Sequence, residues 1–130
     1  MATIVKEFTV AVKPEVVWDA LKDFGNVHTR LFPGILVDAK LDSPTARTVT
    51  FGSGAVIHEQ MVTMDDQARR LVYTASGGVT THHNASLQVI AEGSAQSRII
   101  WTSDFLPDEV SPKIQQLVDS GAEAMQKALR

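Results

Sequence analysis

Cysteine is absent from the 130-residue chain. Disulfides, thiol catalysis and cysteine-ligated zinc are therefore excluded. Clustered charge is also absent, because 12 Lys and Arg residues and 15 Asp and Glu residues are scattered along the sequence, for a net charge of -3. Nucleic acid is accordingly not an expected partner, since phosphate binding needs grouped basic side chains.

Long apolar runs are missing too. No stretch approaches the roughly 20 apolar residues that cross a bilayer as a helix, so no membrane span is expected. The opening residues MATIVKEFTV alternate like a strand and lack the basic segment, apolar run and cleavage site of a signal peptide. The sequence therefore predicts a cytoplasmic protein. Phosphate-binding and dinucleotide motifs are absent, and neither a cofactor nor a metal is expected.

The residues that are present suit one globular domain over residues 1–130, since 44% are hydrophobic and 21% are charged. Pro14 predicts the start of an amphipathic helix that Gly25 ends. A short helix or turn follows over 26–34, and an apolar stripe predicts a long helix over 108–129. Seven segments show the alternation of strands, namely 2–12, 35–41, 46–51, 56–64, 70–76, 81–90 and 97–105.

This order of elements predicts an α+β architecture. The strands follow one another with short polar connections, which is typical of an antiparallel meander. The helices would then lie on one side of the sheet. A strongly curved sheet around one long helix leaves an apolar cavity between the two.

Three stretches carry a resemblance to a known family: PEVVWDALKDFGNVHTRLFPGI at 14–35, ARTVTFGSGAVIHEQMVTMDDQARRLVYTASGG at 46–78 and SRIIWTSDFLPDE at 97–109. The chain resembles the START-like helix-grip (SRPBCC) superfamily, and within it the bacterial polyketide cyclase and dehydrase group. It is also similar to plant abscisic-acid receptors and Bet v 1-like proteins. The resemblance implies a curved seven-stranded antiparallel sheet around a long C-terminal helix, with two short helices after the first strand.

The same resemblance implies a cavity for a small hydrophobic or aromatic ligand. In the plant receptors, a lysine that anchors a ligand carboxylate falls near Val37, so acidic hormone binding in that form is not implied. Their gate loop is longer than FGSGA, and their latch has no clear equivalent here, so a hormone-gated phosphatase switch is not implied either. The positions that would face the cavity are Val49, Phe51, Glu59, Tyr73, Ala75, His83 and Ala85.

Two adjacent histidines in TTHHNAS raise the question of a metal site. Consecutive side chains of a strand point to opposite faces, so His82 and His83 cannot both reach one metal without a bulge. His83 shares its parity with Ala85, Leu87 and Val89 and is expected to face inward. His82 is expected to face outward.

Hairpin registers extend this prediction to the neighbouring strands. A turn centred on Asp66 would place Glu59 opposite Tyr73, and a turn centred on Gly78 would place Tyr73 opposite His83. A tight turn at Glu92-Gly93 would bring Ser103 into the same row. Such a row would orient a ligand's polar group or supply an acid and a base, which makes Glu59, Tyr73 and His83 the catalytic candidates.

The alternative for Glu59 is a structural ion pair with Arg47 on the preceding strand. Trp101 and Phe105 share a strand parity and are candidates for either the cavity wall or the core. On the last helix, Gly121 would leave room above the sheet. The further candidate ligand-binding residues are Val37, Arg47, Trp101, Ser103, Leu117, Gly121 and Met125.

Three hypotheses of function follow. The first is a protein that binds a small hydrophobic or aromatic ligand. The second is an enzyme of polyketide cyclase or dehydrase type that uses acid and base groups of the cavity. The third is a module whose apolar face docks a partner protein, or a second copy of the chain as a homodimer. Because no nucleophile with an adjacent base appears, the binding hypothesis ranks first.

Overall fold

The computed structural model describes residues 1–130. Three helices are present, α1 (Pro14–Lys22), α2 (Val27–Arg30) and α3 (Ser111–Ala128), with short 3₁₀ turns at Phe24–Asn26 and Asp108–Val110. The strands are β1 (Ala2–Val10), β2 (Leu36–Ser43), β3 (Ala46–Phe51), β4 (Val56–Asp65), β5 (Arg70–Ser76), β6 (His82–Ala91) and β7 (Ser97–Leu106).

The strands form one seven-stranded sheet in the order β1-β7-β6-β5-β4-β3-β2. Every neighbouring pair is antiparallel. The predicted α+β helix-grip architecture is confirmed, including the long C-terminal helix and the short helices after β1. No helix in the structure is both long and apolar enough to cross a membrane.

The helix α1 begins at Pro14, whose fixed φ suits the first helical turn. It buries Val17 and Leu21 against the sheet. Trp18 is buried as well, and its indole Nε1 donates a hydrogen bond of 2.8 Å to Asp66 in the turn between β4 and β5. Trp18 thus packs in the core, and its hydrogen bond ties α1 to the sheet through that turn.

The helix α3 packs its apolar stripe on the sheet face that carries Tyr73 and Trp101, called the inner face below. Ile114, Val118 and Met125 are buried there as part of one hydrophobic cluster of 26 residues. Such a one-sided stripe is what the helical period of the sequence predicts.

The predicted registers of two hairpins are wrong. Tyr73 pairs with Met61 and Ala85, whereas Glu59 pairs with Ala75 and His83 pairs with Phe105. The first hairpin turns later than Asp66, since Asp65 pairs with Arg70, and a bulge between Met61 and Thr63 offsets this shift by only one residue.

The connection between β5 and β6 turns later than Gly78, which shifts the second hairpin. Ser103 likewise lies opposite Ala85 rather than His83. Each shift is by two residues, so the faces are preserved, but the directly opposed row of Glu59, Tyr73 and His83 does not exist.

Candidate functional site

A cavity of about 240 Å³ lies between the inner face of the sheet and α3. Of the 23 residues that line it, 14 are hydrophobic. Its wall is thus mainly apolar with a few polar groups, which is the usual composition of a small-molecule site. The predicted residues that line it are Arg47, Val49, Phe51, Glu59, Tyr73, Ala75, His83, Trp101, Leu117 and Gly121.

Four of the predicted residues do not line the cavity. Val37 is 63% exposed, because a bulge in β2 between Leu36 and Asp38 inserts it as an extra residue. Its neighbour Leu36 lines the wall instead. The others, Ala85, Ser103 and Met125, are buried in the core behind the cavity.

Several lining residues were missed by the sequence reasoning. The segment after α1 contributes the apolar side chains of Val27, Phe32 and Ile35. Their irregular spacing follows neither the helical nor the strand period, so only the apolar character of the segment was a signal. The remaining missed residues are Leu36, Ser53, Ala55, Ile57, Ser76, Gly78, Val79, Thr80, Lys113 and Ile114.

A buried arginine organises the inner end of the cavity. Arg47 is 3% exposed, and its Nε donates a hydrogen bond of 2.7 Å to Glu59 Oε1. One terminal nitrogen donates to the backbone oxygen of Phe24 at 3.1 Å. The guanidinium carbon lies 3.7 Å from the centroid of the Phe24 ring and 5.2 Å from that of Tyr73. The ion pair that the sequence offered as the structural alternative for Glu59 is therefore present.

These contacts suit Arg more than Lys, because the planar guanidinium can stack on aromatic rings while its edge donates in a fixed direction. Together, Arg47, Glu59, Phe24 and Tyr73 form a group called the arginine cluster below. Glu59 neutralises the charge of Arg47, so the arginine cluster contributes little net electric field to the cavity. The bond from Arg47 to Phe24 also joins β3 to the helical segment.

Tyr73 is 5% exposed within this cluster. Burial raises the pKa of its phenol well above the ordinary value, and the nearby charge of Glu59 raises the pKa further, while Arg47 opposes the change. The phenol therefore stays protonated at neutral pH and can act only as a hydrogen-bond donor or neutral acceptor.

The histidine doublet is divided by the sheet as strand parity predicts. His82 is exposed, and its Nε2 lies 2.8 Å from the Asn84 side-chain oxygen. His83 is half-buried in the cavity wall, with its ring edge-to-face with Phe105 at 6.2 Å between centroids. No group of three or more His, Asp or Glu side chains is arranged to hold a metal ion.

The Nε2 atom of His83 is buried and has no hydrogen-bond partner within the protein. Burial lowers the pKa of this imidazole, the charge of His82 lowers it further, and Asp104 opposes both. His83 is consequently neutral at pH 7, so one of its ring nitrogens is an acceptor.

The indole Nε1 of Trp101 is another buried polar atom without a hydrogen-bond partner in the protein. The ring lies against Phe32, with centroids 5.7 Å apart, and against the backbone of Gly121 on α3. A Cβ at Gly121 would be 2.7 Å from Cη2 of the indole, so the room predicted above this glycine is occupied by Trp101. Phe105, by contrast, is fully buried core.

Comparison with known proteins assigns this fold to a family. The model of the polyketide cyclase / dehydrase and lipid transport family matches residues 1–130. The chain belongs to this family. A search of curated proteins gave no match.

Comparison with solved structures finds the same fold in several proteins. XoxI from Bacillus cereus is 25% identical with a TM-score of 0.85, over 99% of this chain and 96% of that one. A START superfamily protein from Mycobacterium smegmatis is 12% identical with a TM-score of 0.83, over 98% and 96% of the two chains. Norcoclaurine synthase from Thalictrum flavum, a point mutant bound to a transition-state analogue, is 19% identical with a TM-score of 0.77, over 98% and 93%. The predicted START-like recognition is confirmed, and membership of this family is consistent with ligand binding.

Proposed function

We propose that residues 1–130 form one START-like ligand-binding domain, which encloses a small hydrophobic or aromatic ligand between the sheet and α3. The observation that carries this proposal is the cavity of about 240 Å³, whose wall is mainly hydrophobic. Natural ligand sites combine such apolar walls with a few polar groups that orient the ligand. Here His83 and Trp101 line the cavity, and each has a buried nitrogen without a partner in the protein, which makes the two side chains candidates for groups of that kind.

The polar atoms of the wall favour a ligand that is not a plain hydrocarbon. A buried N–H without an acceptor is costly, so a ligand oxygen near Trp101 would stabilise the complex. The neutral imidazole of His83 suits a ligand hydroxyl. Both groups lie in a wall that is otherwise apolar, where hydrogen bonds are stronger than in water.

A variant that fills the cavity tests this function. Ala75 lines the cavity, and its neighbour Thr74 points to the opposite face of β5. We expect Ala75→Leu to abolish binding, while Thr74→Leu, the matched control, keeps it. Native mass spectrometry and thermal-shift screening with fatty acids, flavonoids and aromatic polyketides would measure this. Binding by Ala75→Leu equal to that of the unmodified protein would contradict the proposal.

A cyclase or dehydratase activity is the second candidate, and His83 is the observation that favours it. A neutral, half-buried imidazole with a free nitrogen can accept a proton from a bound ligand, and the protonated Tyr73 phenol can donate a hydrogen bond nearby. Glu59 suits the role less well, because Arg47 holds one of its oxygens.

Turnover separates the two candidates. An enzyme should lose aldol cyclisation or dehydration of a bound polyketide when His83→Gln is made, and should still bind the ligand. The control His82→Gln changes an exposed imidazole beside it and should leave turnover unchanged. If His83→Gln reduces binding and no turnover is detected with either protein, His83 orients the ligand and the enzyme candidate is wrong.

The cytoplasmic location and the homodimer stay predictions. Large exposed apolar side chains occur on several elements, with Val5 on one edge strand, Val37 and Leu41 on the other, and Val16 on α1. Because these side chains belong to both edges of the sheet and to a helix, no particular face is proposed for a second copy of the chain.

A further inference from the structure

Few residues of the cavity wall are charged, and they differ in whether an opposite charge lies beside them. Among the 23 lining residues, only Arg47, Glu59 and Lys113 carry a formal charge at neutral pH with His83 neutral. Arg47 and Glu59 compensate each other at 2.7 Å. Lys113 takes part in none of the ion pairs of the protein. The wall therefore has one uncompensated charge, and it is positive.

Lys113 is exposed in the first turns of α3 while also lining the cavity, so it stands at the mouth. Two carboxylates precede it in the chain, but neither lines the cavity. Asp108 lies 3.3 Å from the N-terminal amine, and Glu109 is exposed outside the wall. Neither therefore compensates the ammonium on the side where a ligand would enter.

Hydroxyl groups collect at the same end. Ser53 belongs to the turn between β3 and β4, Ser76 is the last residue of β5, and Thr80 belongs to the connection between β5 and β6. All three are lining residues at or beside the loops at this end of the sheet. Their O–H groups can donate hydrogen bonds to an anion that Lys113 attracts.

We propose that the ligand is a small apolar monoanion whose acidic group lies at the mouth beside Lys113, with its apolar part directed inward. This inference rests on the ligand-binding function proposed above. The reverse orientation is disfavoured, because an acidic group at the inner end would meet the Glu59 carboxylate and an Arg47 that already donates to Glu59 and Phe24. The single uncompensated positive charge of the wall favours a ligand with one negative charge.

The volume of the cavity limits the size of the ligand. The cavity of about 240 Å³ lies just below the roughly 300–1,000 Å³ of sites for drug-sized ligands, so the ligand is small. A medium-chain fatty acid or a carboxylate on one aromatic ring meets this limit. A long-chain lipid would leave part of its chain outside. The proposed class is therefore a small apolar acid.

Calorimetric titration with octanoate, octanol and octyl phosphate tests this assignment, because the three share a chain and differ in head group. We expect octanoate to bind the unmodified protein about fivefold more tightly than octanol, the effect of one partly exposed charge pair. Lys113→Gln should remove that preference. Lys127→Gln, which changes an exposed lysine paired with Glu123 near the other end of α3, should keep it.

Each outcome bears on the assignment. Octyl phosphate carries nearly two negative charges at pH 7, so its binding more tightly than octanoate, with the same dependence on Lys113, would overturn the monoanion class and assign the head group to phosphate. Equal affinities of the unmodified protein for octanoate and octanol would overturn the role of Lys113, and so would equal losses of octanoate affinity in the two lysine variants. Either result would leave the proposed ligand-binding function unaffected. Failure of all three octyl compounds, with binding of larger members of the wider panel, would overturn the size and charge class alone.

Discussion

At the inner end of the cavity, Arg47 and Glu59 hold each other at 2.7 Å, whereas at the mouth Lys113 has no carboxylate partner. Arg47 is 3% exposed and Lys113 is exposed. A buried charge without a partner costs several kcal/mol, while an ammonium in water costs nothing to leave free. The inner charges therefore serve the fold, and the outer charge remains available to a ligand.

The largest loss of stability is expected when one partner of the ion pair in the arginine cluster is removed. Arg47→Met leaves the Glu59 carboxylate without its partner and removes the stacking on Phe24 and Tyr73. We expect a loss of about 3–5 kcal/mol in the free energy of unfolding, measured by urea denaturation.

The double variant Arg47→Met, Glu59→Gln is the control for this prediction, because it removes both charges. It should recover much of the lost stability. If the double variant is as unstable as Arg47→Met, packing on the rings rather than the ion pair accounts for the loss.

A smaller loss of stability is expected from a substitution at the contact of α3 with Trp101. A Cβ at Gly121 would lie 2.7 Å and 2.8 Å from two indole carbons and 3.2 Å from a Phe32 carbon. Gly121→Leu should therefore push Trp101 into the cavity, costing about 1–3 kcal/mol of stability and weakening ligand binding.

Gln116→Leu, at an exposed position of the same helix, is the matched control and should change stability by less than about 0.5 kcal/mol. Equal melting temperatures and affinities for the two variants would contradict the close packing at Gly121.

A pH-dependent effect should arise from His83. Its pKa in the folded state lies below the ordinary value of 6.5, chiefly through burial. As the pH falls below about 6.5, the unfolded chain binds a proton at this site before the folded protein does, so stability falls. Above that pH the imidazole is neutral in both states and has no effect.

His83→Gln should therefore reduce the loss of stability between neutral pH and the lower pKa of the folded state, as measured by thermal unfolding at a series of pH values. His82→Gln keeps the buried imidazole and should retain most of the loss. Identical pH profiles for His83→Gln and the unmodified protein would contradict a buried, neutral His83.

The smallest effect is expected at Val37, where the resemblance to plant receptors places a ligand-binding lysine. The side chain is 63% exposed, outside the cavity. Val37→Lys should change stability by less than about 0.5 kcal/mol and leave the affinity for octanoate unchanged. A clear gain in affinity would show that this position reaches the cavity mouth after all.

The sequence was informative wherever one local period decided the outcome. Alternation of apolar residues located the strands and separated His83 from His82, since a strand cannot turn neighbouring side chains to one face. The apolar stripe located α3 in the same way. The resemblance added the helix-grip arrangement and six of the 23 residues that line the cavity.

The predictions of contacts were wrong where a bulge adds one residue to a strand or where a turn is centred on a different residue than expected. A bulge placed Val37 outside and Leu36 inside, and a turn later than Asp66 separated Tyr73 from Glu59 along the strands. Bulges and loop closures depend on twist and packing in the assembled sheet, so local alternation does not show them. Lys113 was missed because an exposed lysine on a helix looks like any solvated residue.

By itself the sequence determined the kinds of elements, their order and the face to which each strand residue belongs, because these depend on repeats of two and 3.6 residues along the chain. Only the tertiary structure decided which residues meet. It brought Arg47 between Phe24 and Tyr73, set Trp101 against Gly121, and left Lys113 at the mouth without a carboxylate. Those arrangements involve residues far apart in sequence, and they form only when the helices pack on the assembled sheet.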